Sequence, residues 1–220
     1  MQKLIHGVNK FQNEVFGQHK ALFGRLSHGQ WPKTLFLTCS DSRIDPGLLT
    51  QSEPGDLFII RNAGNIVPAW SGDGTAESAA LEFAVVGLGI QDIIVCGHSM
   101  CGAMKGLLNL QGLDAMPTVR SWLRHSEAAR RIVMENYPDL KGEAQLNVMV
   151  QENVLMQLKS LGTHPAVAAR LAAGKVRLYG WVYKIETGEV FAYDPDLDQF
   201  TPLTVAGKPT TVAKSLEMAP

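Results

Sequence analysis

Cysteine is scarce in this chain, long apolar runs are missing, and neither sign of charge prevails. Each shortage excludes something. Three cysteines, Cys39, Cys96 and Cys101, cannot form a complete set of pairs, so a disulfide framework is ruled out. In a reducing compartment such thiols serve as core filler, redox groups or metal ligands. No stretch approaches the roughly 20 consecutive apolar residues that a membrane span requires. A formal net charge of -1 gives no electrostatic reason to expect nucleic acid or a membrane as partner. The loose basic cluster Arg120, Arg124, Arg130 and Arg131 has roughly helical spacing and reads as a solvated helix face. The opening stretch MQKLIHGVNKFQNEVFGQHKALF carries Leu4, Val8, Phe11, Val15, Phe16, Leu22 and Phe23 among interspersed charges. That pattern is an amphipathic helical arm over residues 1–25, not a secretory signal, and it makes the cytoplasm the expected compartment.

What is present suffices for one core. With 220 residues, 45% of them hydrophobic, residues 1–220 are expected to form a single domain. Residues 206–220, AGKPTTVAKSLEMAP, read as a loosely ordered tail. Apolar runs bounded by turn formers predict buried strands at 34–39 (TLFLTC), 57–60 (LFII), 92–97 (DIIVCG) and 176–183 (VRLYGWVY). Helical periodicity fills the intervals at 75–89, with Thr75 as N-cap, and at 118–135, 143–161 and 164–173. Strands alternating with helices predict an α/β fold with a mainly parallel central sheet flanked by helices. Alternating runs around Thr187-Gly188 add a hairpin, hence an antiparallel edge strand.

Chemistry concentrates in CSDSRIDP, residues 39–46, and CGHSMCG, residues 96–102. Cys39 ends the first predicted strand, and His98 and Cys101 follow the third. Ligands collect at the carboxyl ends of parallel strands, so these side chains are expected at one edge. Two thiols and one imidazole form a soft donor set suited to zinc. Three protein donors without a fourth suit a catalytic site, where zinc turns a water into hydroxide near neutral pH. Alone, His98 reads as a satisfied loop histidine sooner than as a ligand, and Cys96, inside IIVC, reads as core filler. His6, His19, His28, His125 and His164 suit surface or packing roles.

Asp41 stands two residues beyond Cys39, within reach of a metal or its water, and Arg43 two further on. Two thiolates already cancel the charge of zinc, so a bare carboxylate beside them tends toward protonation or ligation. Arg43 offers a planar bidentate partner that keeps Asp41 ionised; an ordinary turn ion pair is the plainer alternative. Alternate residues of an extended chain share a face, which predicts Cys39, Asp41 and Arg43 turned toward one metal. Asp45 and Pro46 then lead the chain away.

The pattern C-x-D-x-R followed by H-x-x-C resembles the β-class carbonic anhydrases, and the likeness extends through QSEPGDLFIIRNAGNIVP, CGHSMCGAMKGLL and GWVYKIETGEV. The resemblance implies one Zn2+ per subunit on Cys39, His98 and Cys101, with Asp41 and Arg43 as the catalytic dyad. It implies reversible CO2 hydration, with a zinc-bound hydroxide that the dyad orients attacking CO2. Gln30 matches a side-chain amide that binds substrate, Gly102 a backbone amide aimed at the same oxygens, and Phe58 an aromatic walling the CO2 pocket, partly from a neighbouring subunit. Phe83 falls near a pocket tyrosine of the family, so any hydroxyl relay there is missing, as is a plant-type histidine at Gly87 or Leu88. Phe36 replaces the tryptophan of the bicarbonate-regulated subgroup, which implies the other subgroup, with Asp41 held by Arg43 near pH 7. A homodimer or larger assembly, tetramer or octamer, is implied, its arms wrapping partners; packing of the arm on its own domain is the alternative reading. Two other functions stay open: CS2 or COS hydrolysis by the same centre, and a non-catalytic zinc-binding or thiol-redox module.

Overall fold

The structure is a computed structural model and describes residues 1–205, so the tail expected at 206–220 lies outside the described residues. The chain divides into two compact units, Met1–Trp31 and Pro32–Pro220. In the first, helix α1 (Gln2–Lys10) runs through a π turn and a 3-10 turn into α2 (Lys20–Leu26). Phe11, Phe16 and Phe23 cluster there, with ring centroids 5.5–6.1 Å apart. Leu4, Ile5 and Val8 of α1 are exposed.

The second unit begins with the apolar run that forms β1 (Thr34–Cys39), buried at every residue but the first. After it come α3 (Pro46–Thr50), β2 (Leu57–Asn62), α4 (Ala76–Glu82), β3 (Asp92–His98) and α5 (Gly102–Leu108). Then follow α6 (Pro117–Leu123), α7 (Glu127–Asn136), α8 (Gly142–Leu161), α9 (Pro165–Ala172), β4 (Arg177–Tyr183), β5 (Val190–Asp194) and β6 (Gln199–Pro202). Thr75 caps α4 as expected, its hydroxyl accepting from the Ser78 N–H at 3.1 Å. The sheet order is β2-β1-β3-β4-β5-β6. The first four strands are parallel; β5 and β6 continue the sheet antiparallel beyond the hairpin at residues 184–189. This is the expected α/β architecture, with one more edge strand, β6, than the sequence pattern announced. The segment 118–135, read as one helix, is two, split by a 3-10 turn at Arg124–Ser126.

Strand alternation sends side chains to two cores. Leu35 and Leu37 of β1 and Ile93 and Val95 of β3 face the larger one, with Met104, Val150 and Val154 from α5 and α8. Phe36, Ile94 and Cys96 face the smaller, together with Ile44. Helix α8 lies so close to β3 and β4 that Gly97 and Gly180 leave no room for a side chain: an added Cβ comes 2.9–3.0 Å from Val150, Val154 or Leu158. The basic cluster is partly paired, Arg120 with Asp114 at 2.7 Å and Arg130 with Glu127 at 3.0 Å.

Candidate metal centre and active site

From β1 the chain passes to β2 on one side, and from β3 to β4 on the other, so the crevice between the carboxyl ends of β1 and β3 is the topological switch point of the sheet. Cys39 is the last residue of β1 and His98 the last of β3, and Cys101 caps α5 three residues on. The turn between them runs through Met100 at φ +54°, a left-handed conformation uncommon for a residue with a side chain. One ligand-type atom from each of Cys39, His98 and Cys101 lies within 4.8 Å of the others. All three side chains are buried, His98 completely.

The protons around this cluster are specified. Nδ1 of His98 donates to the Ser99 carbonyl at 2.9 Å, which leaves Nε2 as the basic nitrogen. Nε2 is buried and has no hydrogen-bond partner. The sulfurs of Cys39 and Cys101 stand 4.0 Å apart. The Cys101 thiol donating to its sulfur, with the Gly64 N–H beside it, lowers the Cys39 pKa against the cost of burial. The Cys101 pKa is raised in turn, first because its proton is the one the pair shares, then by desolvation. Such a pair is primed to give up its last proton to a cation. A soft S/S/N donor set with an orphaned buried imidazole nitrogen fits a zinc ion. Cys96, by contrast, lies in the other core, and burial pushes its pKa up to about 12. That is the core-filler role expected of it.

Asp41 and Arg43 do form a pair, by a different local route from the one expected. Strand β1 stops at Cys39, and residues 41–44 make a turn in which the Ile44 N–H donates to the Asp41 carbonyl at 3.2 Å. The shared face is therefore not that of an extended strand. The Arg43 N–H and Nε donate to Oδ1 of Asp41 at 3.0 and 2.9 Å, and Nη2 donates to Oδ2 at 2.8 Å. The same Nη2 reaches the Met100 carbonyl at 3.1 Å, tying the dyad to the His98–Cys101 turn. Arg43, as hydrogen-bond donor first of all, holds the Asp41 carboxyl well below the usual carboxylate range. Oδ2 of Asp41 lies 3.9 Å from Nε2 of His98, so the carboxylate reaches the cluster. Asp45 caps α3 by accepting from the Leu48 N–H at 2.9 Å, with Pro46 in the first turn.

Of the remaining candidates, Gly102 opens α5 beside Cys101, where first-turn N–H groups lack helical partners. Phe58 and Phe83 meet as a tilted pair, centroids 6.1 Å apart. The parallel register sets Phe58 against Leu35 and Asn62 against Cys39, so Phe58 lies four residues, about 13 Å, down the strand from the Cys39 level. Gln30 is an exposed residue of the Met1–Trp31 unit. Phe36 is buried against Trp181, ring centroids 6.1 Å apart, on the opposite sheet face from the larger core. Two residues passed unnoticed in the sequence. Arg61 of β2 donates from Nε to the Cys39 carbonyl at 3.1 Å and from Nη2 to the Asp41 carbonyl at 2.7 Å. The Gly64 N–H donates to the Cys39 sulfur at 3.4 Å. An arginine in RNAG, on the strand next to the first cysteine, was the available signal for Arg61.

Fold and site together define an open parallel-sheet α/β protein with a buried Cys-His-Cys centre at its switch point. Residues 34–190 match the family model described as carbonic anhydrase. A carbonic anhydrase of Synechocystis sp. is 56% identical over 201 residues, covering 91% of this chain and 73% of that one. The solved structure of the β-carbonic anhydrase CcaA is similar at 55% identity and a TM-score of 0.90, over 92% of this chain and 99% of that chain. One of two tetrameric β-carbonic anhydrases of Sordaria macrospora, 27% identical, superposes with a TM-score of 0.76 over 91% and 98%. The chain belongs to the carbonic anhydrase family, in its β class, and its reaction is the reversible hydration of CO2.

Proposed function

We propose that this chain hydrates CO2 at one zinc ion per subunit, held by Cys39, His98 and Cys101. The observation that carries the reading is the buried, unpartnered Nε2 of His98 set among two thiols. Zinc bound there supplies a Lewis acid that makes water nucleophilic near neutral pH. The chain's own residues do the rest. Asp41, kept ionised by Arg43, accepts a hydrogen bond from the attacking water and turns its lone pair toward CO2. Arg43 itself donates to the Met100 carbonyl, which links the dyad to the His98–Cys101 turn. The Gly102 N–H and the Gln30 amide bind the substrate oxygens. Phe58, too far down β2 for the site of its own chain, walls the apolar CO2 pocket of a second subunit together with Phe83, which packs against it from the turn after α4.

That last assignment requires a homodimer or a larger assembly, tetramer or octamer. Exposed Ile59, Phe83 and Val86 and the bare apolar stripe of α1 support it, as does the similarity to tetrameric relatives. Residues 1–220 act as one catalytic domain, with 1–25 as its arm. Two ligands that must stay reduced suit the cytoplasm. The Asp41–Arg43 pair, with Phe36 in place of tryptophan, fits the subgroup in which Asp41 stays off the metal near pH 7. A crystal structure at that pH with Asp41 on zinc would contradict this. Stopped-flow CO2 hydration, with and without chelator and with Asp41→Asn, tests the whole reading. Equal rates for wild type and variant, both no faster than buffer, would sink it.

A further inference from the structure

Helix α8 carries two polar side chains where its neighbours are apolar. Asn153 is 1% exposed and Gln157 0%, in a core that includes Val150, Val154 and Leu158. Ser126, also fully buried, completes the group from the 3-10 turn before α7. Its hydroxyl donates to Oδ1 of Asn153 at 2.8 Å. Nε2 of Gln157 donates to the same oxygen at 2.9 Å and to the Ser126 hydroxyl at 3.0 Å. Buried polar groups are costly unless satisfied, and packed apolar residues commonly serve stability as well or better. The destination of the outward bonds explains why they are here.

Both outward bonds end on the loop that follows β2. Nδ2 of Asn153 donates to the Gly64 carbonyl at 3.0 Å, and the Val67 N–H donates to Oε1 of Gln157 at 2.8 Å. Gly64 thus has its C=O held by Asn153 while its N–H donates to the Cys39 sulfur at 3.4 Å. The loop has little freedom to do this otherwise. Gly64 sits at φ +83°, and a Cβ there comes 2.9 Å from Cε of Met104 and 3.1 Å from Cβ of Ala103, both on α5.

We propose that Asn153, braced by Gln157 and Ser126, is a positioning residue for the metal centre: it aims the Gly64 N–H at Cys39 and so sets how firmly that sulfur holds its metal. The inference rests on the zinc assignment above. Groups that hydrogen-bond a ligand fix its orientation, and losing one typically costs 10- to 100-fold in metal affinity.

The test uses full-length zinc-loaded protein and follows zinc release to a chelator, with the thiolate-to-cobalt charge-transfer band of the Co2+ form as a second readout. Asn153→Leu should release zinc about 10- to 100-fold faster than wild type and shift that band. Ser126→Ala, the milder change, should do both in the same direction, and it decides alone if Asn153→Leu does not fold. Val133→Ala, a core truncation that touches none of these bonds, lowers stability but should keep the wild-type release rate and band. Release from the polar variants no faster than from Val133→Ala, with an unshifted band, overturns the inference. A wild-type chain that takes up no zinc overturns the zinc assignment, and this inference falls with it.

Discussion

At Asp41, Arg43 meets both carboxylate oxygens with its guanidinium and donates its backbone N–H as well, so the residue's charge and direction share one cause. Asp41→Asn keeps the shape but removes the charge, and stopped-flow hydration should fall by roughly 10²- to 10⁴-fold, the usual weight of a positioned acid-base group. A rate within a few-fold of wild type would contradict the role. Arg43→Lys cannot reproduce the fork, so it should behave as a loss-of-function change despite conserving charge. The pH sign follows from the direction of the shift. The folded carboxyl titrates below its unfolded value of about 3.9, so the pair's contribution is complete above that pH and is lost as pH falls through the folded value. A carboxyl-carbon NMR titration should therefore show no Asp41 midpoint near 4 in wild type and one shifted upward in Arg43→Ala. An unmoved midpoint in the variant would show that Arg43 is not the cause.

At the scale of elements, helix α8 packs closely on β3 and β4. Gly97→Ala pushes a methyl to within 2.9 Å of Val150 and Val154, and overpacking of this kind costs about 1–3 kcal/mol. The denaturant midpoint should drop accordingly; an unchanged midpoint would mean that the helix yields. His164 gives a second, pH-dependent prediction. Its Nε2 donates to the Pro68 carbonyl at 3.0 Å, yet desolvation lowers its pKa below 6.5. The unfolded chain then binds more protons, so stability should decline as pH falls below about 6.5, and His164→Asn should flatten that decline. An unaltered pH slope would assign it elsewhere. The elements most visible in the sequence were those buried on both faces: β1 and β3 are nearly continuous apolar runs, and their ends located Cys39 and His98. Strand β6 was not visible, because QFTP has two exposed ends, two half-buried middle residues and no apolar run. The break at Arg124–Ser126 was hidden because Ser126 turns inward to partners 27 and 31 residues away. Arg61 and Gly64 act on Cys39 through backbone atoms or from another strand, which periodicity does not record. Donor identities were legible; the bonds that hold them were not.

For the whole molecule the account requires more than one chain, since Phe58, which packs against Phe83, lies four residues down β2 from the Cys39 level. Sedimentation should give a dimer or a multiple of it, and removing residues 1–25 should shift the chain toward monomer and lower hydration together. A fully active monomer would contradict the shared pocket. The central claim, catalysis by zinc on Cys39, His98 and Cys101, is tested most directly by metal content and hydration rate measured on the same sample. The account predicts one zinc per chain, with the rate lost in step as chelator removes zinc and both absent in Cys101→Ala. Full hydration by a chain that holds no zinc would contradict it.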